Sequence, residues 1–146
     1  RGTTGDSRRS WTWAWRASFW ARFLDGEKAY EMIRGMMRHS MMDSLFTTHP
    51  PMQVDGTMGI VAGFAEMLLQ SRTGRLHLLP ALPEAWKNGS VRGLKARGNI
   101  TVDMDWKDGR VTQFRLSSPV AQSVKVAANG TEKTYELTPE TPVKGS

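Results

Sequence analysis

The hydrophobic residues of this chain follow two different periods, and the change comes near Gly74. Before this point the apolar side chains recur at helical spacing, and after it they recur at every second residue, as in a strand. Eight of the nine Met and nine of the thirteen aromatic residues lie before Gly74. We therefore expect an α+β chain, with helices over residues 1–74 and a small antiparallel β domain over residues 75–146.

The first predicted helix is apolar on two sides. One row, at four-residue spacing, consists of Trp11, Trp15, Phe19 and Phe23. A second row lies on nearly the opposite side and consists of Trp13, Ala17, Trp20 and Leu24. A helix with two apolar faces is packed on both of them. Two further helices are not enough to cover both rows, so we expect this chain to be the C-terminal end of a larger helical domain.

The remaining elements follow from the same two periods. Helices are predicted over residues 27–42 and 57–71, and strands over 75–79, 100–107, 111–116, 124–128 and 134–137. The segment 100–107 alternates cleanly between apolar and polar residues. Asp108-Gly109 and Asn129-Gly130 are typical of two-residue hairpin turns, which need positive φ. The pattern predicts one antiparallel sheet with a solvated face.

Composition excludes several classes of protein. The chain has no Cys, which rules out thiolate metal sites and Cys nucleophiles, and the spacing of its three His predicts no metal site and no cofactor. No apolar run approaches the roughly 20 residues of a transmembrane helix. The net charge of +6 is spread over both halves without a basic arm, so we expect neither a nucleic acid nor a membrane as partner.

The loop over residues 47–59 is the most informative segment. It gathers His49, Gln53 and Asp55 with two Pro and two Gly directly ahead of a predicted helix. Rigid polar loops on a helical scaffold are common places for binding groups. Structural roles remain open as well: Asp55 suits an N-cap or first-turn acid, and His49 suits a bond to a backbone carbonyl.

Motifs spread over residues 10–116 resemble those of glycoside hydrolase family 95, the inverting α-L-fucosidases. The matching strings in the helical half are Trp13-Ala14-Trp15-Arg16, Phe19-Trp20-Ala21-Arg22, Asp25-Gly26, Ala29-Tyr30, the loop from His49 to Gly59, and residues 65–71. Those that follow are His77-Leu78-Leu79-Pro80-Ala81-Leu82-Pro83, Trp86 and residues 91–98.

The resemblance implies the last helices of an (α/α)6 toroid followed by a C-terminal β domain. It implies that Asp55 is the catalytic carboxylate on the base side, acting through Asn side chains to activate water. The general acid, a Glu, and these Asn residues belong to upstream segments that this chain does not contain. His49 and Gln53 are then candidate partners for sugar hydroxyls. The partners expected are a fucosylated oligosaccharide and the N-terminal part of the same enzyme, and the resemblance suggests an extracellular or periplasmic setting.

The chain departs from the family beside the key acid. Where the family commonly has Asp-Gly-Asn-Phe-Gly, this chain has Asp55-Gly56-Thr57-Met58-Gly59, so we expect its substrate preference to differ, towards a related sugar such as L-galactose. We expect the isolated chain to be inactive because half of the acid/base pair is absent. The alternative from another class is a non-catalytic carbohydrate-binding or scaffold module, which the β half alone could form.

Overall fold

The computed structural model describes residues 9–48, 52–139 and 141–146. These residues form three helices followed by two four-stranded sheets. The helices are α1 (Ser10–Arg22), α2 (Gly26–His39) and α3 (Val54–Leu68), and a short 3-10 turn spans Glu84–Trp86. The predicted fold class, α+β with helices ahead of a small β domain, is confirmed, and the helices are consistent with the end of a toroid.

The Asp25-Gly26 pair is typical of a helix end, and Asp25 lies between the first two helices. Its Oδ1 accepts a hydrogen bond from the backbone N of Lys28 at 3.0 Å, which caps α2. On the buried side of α2, Ala29, Met32, Ile33 and Met36 pack in the helical core. The helical spacing of Ala29, Ile33, Met36, Met37 and Met41 predicts a buried stripe that includes Met37, but the Met37 side chain is exposed and Met32 takes the core position.

The two rows of α1 differ in exposure, although Leu24, at the end of the more buried row, is 54% exposed and Trp20 is only partly buried. Trp13 and Ala17 of one row are buried, with exposed fractions of 1% and 0%. The side chains of the other row are exposed in order along the helix, at 39% for Trp11, 43% for Trp15, 50% for Phe19 and 69% for Phe23. A row of four exposed aromatic rings is a far larger apolar patch than scattered surface residues form.

The strands build a sandwich of two sheets. The first sheet has the order β1-β2-β6-β7 and the second has the order β3-β4-β5-β8. Their bounds are β1 (Leu69–Arg72), β2 (Arg75–Leu78), β3 (Gly89–Ala96), β4 (Ile100–Lys107), β5 (Arg110–Ser117), β6 (Gln122–Ala128), β7 (Thr131–Leu137) and β8 (Val143–Gly145). The prediction of a single antiparallel sheet is therefore corrected, and one pair, β2 with β6, is parallel.

The sandwich core lies between the inner faces of both sheets. Ile100, Val102, Met104 and Trp106 of β4 are all buried, as their alternation predicted. They meet Leu76 and Leu78 of β2 and Val124 and Val126 of β6 in one cluster. Both predicted hairpin turns are present, with positive φ at Asp108, Gly109, Asn129 and Gly130.

Trp86 joins the helices to the sandwich. Its ring stacks on Phe64 of α3, with centroids 5.4 Å apart, and meets Tyr30 of α2 edge-on. Its backbone oxygen accepts a hydrogen bond of 2.6 Å from Nε1 of Trp106, a core residue of β4. Trp86 therefore contacts both the helical core and the sandwich core.

His77 gives the sandwich a pH-dependent stability. Burial lowers the pKa of this half-buried imidazole below its usual 6.5, with help from the Arg75 guanidinium. Because the folded pKa lies below the unfolded value, the contribution is complete above pH 6.5 and is lost as the pH falls towards the folded pKa.

We therefore expect urea midpoints of the chain to drop between pH 7.5 and 5.5, and to drop less in H77Q. NMR titration of the imidazole should place its pKa below 6.5. An identical pH dependence in both proteins would contradict this account.

Candidate functional site

Asp55 lies in the first turn of α3. The helix begins at Val54, three residues before the predicted start, and Gln53 is the N-cap residue. Of the two structural roles considered for Asp55, the first-turn acid is therefore correct and the N-cap is not. Its Oδ1 accepts a 2.9 Å hydrogen bond from the backbone N of Gly56, and its side chain is exposed. Negative charge is favoured at this end of a helix.

Gln53 is held in place from two directions. Its Oε1 accepts a 2.8 Å hydrogen bond from Oγ of Ser10, a fully buried residue at the start of α1. Its backbone N donates to Oγ1 of Thr47 at 2.8 Å, and Thr47 is buried too. These bonds fix the chain where it enters α3. His49 lies outside the described residues.

Small residues bring α1 and α3 unusually close. Gly56, Gly59 and Gly63 of α3 face Ser10, Ala14 and Ala17 of α1. A Cβ on Gly56 would lie 2.5 Å from Cβ of Ser10, so no larger residue fits there without a shift. These contacts run in the same order along both helices, so α1 and α3 are parallel. Because Ser10 and Gly56 both lie in first turns, the N-terminal ends of the two helices are level.

A groove of about 500 Å³ lies between the aromatic row of α1 and the adjacent face of α3. Trp11, Trp15 and Phe19 line it from α1, and Asp55 lines it from the first turn of α3. Mostly apolar walls with a few polar groups are typical of ligand sites. Sequence reasoning located Asp55 but missed which aromatic residues share its groove, although their four-residue spacing was the signal.

Glu66 also lines the groove, near the other end of α3. Eleven residues separate it from Asp55, which is about 16 Å along a helix. Its Oε1 lies 2.8 Å from Nη2 of Arg22 in an ion pair. Paired catalytic carboxyls of inverting glycosidases lie roughly 6.5–9.5 Å apart. Asp55 and Glu66 are too distant to form such a pair.

Other charged clusters lie in the sandwich, away from the groove. Hydrogen bonds from Gln113 and Arg92 lower the pKa of Asp105, and a hydrogen bond from Arg75 lowers that of Glu132. Over residues 9–48, 52–139 and 141–146, no group of three His, Asp or Glu is placed to hold a metal ion. Across those same ranges no helix combines the length and apolarity needed to span a bilayer.

Comparison with known proteins agrees with a carbohydrate-active class. Residues 1–68 match the glycosyl hydrolase family 95 catalytic domain, and residues 70–144 match the glycoside hydrolase family 95 C-terminal domain. By class, the chain is therefore part of a glycoside hydrolase. It belongs to glycoside hydrolase family 95.

Similar proteins carry fucosidase names. The chain is 37% identical to alpha-L-fucosidase 2 of Arabidopsis thaliana over 92% of its own length and 17% of that protein. It is 30% identical to probable alpha-fucosidase A of Aspergillus niger, over 76% of its length and 16% of that protein. For probable alpha-fucosidase A of Aspergillus oryzae the identity is 27%, over 86% of the chain and 20% of that protein. The chain spans a fifth or less of the length of these relatives.

Proposed function

We propose that this chain is the C-terminal segment of an inverting glycoside hydrolase that removes terminal α-L-fucose, or a related sugar such as L-galactose, from glycans. The observation that carries the proposal is the exposed carboxylate of Asp55, at one end of a groove walled by Trp11, Trp15 and Phe19. Family membership and the names of the relatives support a fucoside as substrate.

Asp55 acts on the base side in this proposal. Inverting hydrolysis needs one carboxyl to protonate the leaving oxygen and a carboxylate to activate water on the opposite face of the sugar ring. An exposed carboxylate at a helix N-terminus suits the second role. The family resemblance adds that it works through Asn side chains contributed by upstream segments.

The general acid comes from outside this chain. Glu66 shares the groove but lies about 16 Å from Asp55 along α3 and is paired with Arg22. A Glu of an upstream segment, as the resemblance implies, is needed to complete the pair.

Exposed apolar residues support packing against those upstream segments. The aromatic row of α1 is one such face, and α3 carries another. The second face consists of Val54, Met58 and Val61, with exposed fractions of 55%, 65% and 61%. Helices with unpartnered apolar faces on two sides fit the end of a toroid better than a free-standing unit.

Gln53 and His49 are proposed to contact sugar hydroxyls. The Oε1 of Gln53 is engaged by Ser10, which leaves its amide nitrogen as the group for a ligand. Within the described part of the chain, that nitrogen has no hydrogen-bond partner. His49 keeps its assignment from the loop motif alone.

The test compares the 146-residue chain with the intact protein on an aryl α-L-fucoside. We expect turnover by the intact protein and none by the isolated chain, because only one of the two carboxyls is present. If the isolated chain hydrolysed the fucoside and the D55N substitution abolished that activity, the proposal that the second carboxyl lies outside this chain would be contradicted. If the isolated chain bound fuco-oligosaccharides but the intact protein did not cleave them, the result would instead favour a carbohydrate-binding module.

A further inference from the structure

A second concave site lies where α3 passes into the sandwich. We name it the junction cleft. It has a volume of about 280 Å³, and its lining includes Arg22, Glu66, Gln70, Ser71, Arg72 and Arg97. It takes residues from the end of α1, the end of α3, strand β1 and the residue that follows β3. Ligand sites occur preferentially where two such regions meet.

The junction cleft carries uncompensated positive charge. Three guanidinium groups line it against one carboxylate, that of Glu66, which is 2.8 Å from Arg22. Arg72 and Arg97 have no side-chain ion pair or hydrogen bond to any described residue. Two positive charges of the cleft are therefore available to a ligand.

A backbone hydrogen bond brings these two arginines near each other. Arg72 ends β1, and the backbone N of Arg97 donates a 2.8 Å hydrogen bond to Oγ of the neighbouring Ser71. Nε2 of Gln70 donates to the backbone oxygen of Ala21 at 2.8 Å, which ties β1 to the end of α1. The cleft is thus built by hydrogen bonds between separate elements.

We propose that the junction cleft binds the sulfate or carboxylate group of an acidic saccharide. Guanidinium groups pair with planar and tetrahedral oxyanions through two parallel N–H bonds. Arg22 and Glu66 line both this cleft and the groove of Asp55, so the two sites are adjacent. The saccharide part of the ligand rests on the proposed function, and the oxyanion part rests on the arginines alone.

The test uses calorimetric titration of the intact protein at low ionic strength with three probes. These are inorganic sulfate, a sulfated fuco-oligosaccharide and the same oligosaccharide without sulfate. We expect the sulfated oligosaccharide to bind most tightly, and R72Q/R97Q to weaken it at least about tenfold. The variant R72K/R97K keeps the charge but loses the paired geometry, and should weaken binding by less.

The matched control is R110Q/R115Q, which removes two exposed arginines from β5 in the other sheet. It should change the affinity for the sulfated probe less than about twofold, because the cleft is untouched. Equal losses in both double variants would overturn the site in favour of net charge. Equal binding of sulfated and desulfated probes would overturn it as well, and inorganic sulfate binding as tightly as the sulfated saccharide would overturn its saccharide part.

Failure of the proposed function would show separately. Hydrolysis of a neutral aryl fucoside should be unchanged in R72Q/R97Q, since neither arginine lines the groove of Asp55. An intact protein without fucosidase activity would refute the proposed function, while the sulfate titrations would still decide whether the cleft binds an oxyanion.

Discussion

Replacing Asp55 with Asn in the intact protein is expected, under the proposed mechanism, to lower kcat by about 10²–10⁴-fold, the usual contribution of a positioned general base. The amide cannot accept the proton of the attacking water. It can still accept the hydrogen bond from the backbone N of Gly56, and the side chain is exposed, so the fold should be unaffected. KM should change much less than kcat. Steady-state kinetics on an aryl α-L-fucoside, with thermal unfolding as a check, measures both.

The matched control for D55N is D43N, the same isosteric change at an exposed turn between α2 and α3. Its kcat should stay within about twofold of the parent, because surface changes away from the site have little effect. Turnover by D55N at the parental rate would remove Asp55 from the mechanism.

Replacing Trp13 with Ala destabilises the 146-residue chain by about 3–5 kcal/mol, the range for a large aromatic truncated in a core. Trp13 is 1% exposed, and its ring lies against Gly35 of α2, where an added Cβ would come within 2.6 Å of it. Its Nε1 donates a 3.2 Å hydrogen bond to the buried Oγ of Ser40. Urea unfolding followed by circular dichroism gives the free energy of unfolding.

W15A is the matched change on the opposite row of α1, where the ring is 43% exposed. In the isolated chain it should cost about 1 kcal/mol or less, mainly its edge contact with Phe19. A loss equal to that of W13A would mean that both sides of α1 are already buried in the isolated chain.

The elements that the sequence predicted well are those decided by local chemistry. β4 shows an uninterrupted alternation and ends at Asp108-Gly109, whose residues accept positive φ, so its bounds agree with the structure. The two apolar rows of α1 predicted its two faces for the same reason, since a helix displays its spacing directly.

The elements that were missed depend on pairing partners distant in sequence. Leu69 continues the apolar run of Met67 and Leu68, and only antiparallel pairing with β2 makes residues 69–72 a strand. β3 has a register shift between Val91 and Leu94, which breaks the two-residue period. The parallel pairing of β2 with β6 joins segments about 50 residues apart and leaves no local signal.

The candidate site also has parts that the local sequence predicted and parts that depend on contacts between distant residues. The loop composition was enough to single out Asp55 and Gln53, because polar groups ahead of a helix are a local pattern. The groove was not predictable, since it depends on how closely α1 and α3 approach. The junction cleft joins residues from position 22 to position 97 and could be found only in three dimensions.

The glycine contacts between α3 and α1 limit how the groove of Asp55 can change its shape. Because Gly56, Gly59 and Gly63 face only the small side chains of Ser10, Ala14 and Ala17, these contacts contain no bulky side chain whose replacement would slide one helix past the other. The packing of the two helices therefore fixes the position of the Asp55 carboxylate, along the helix axes, relative to Trp11 and Trp15. Variation is left to the side chains that line the groove farther along the two helices, such as Ser18 of α1 and Ala62 of α3, and these can change while Asp55 keeps its position.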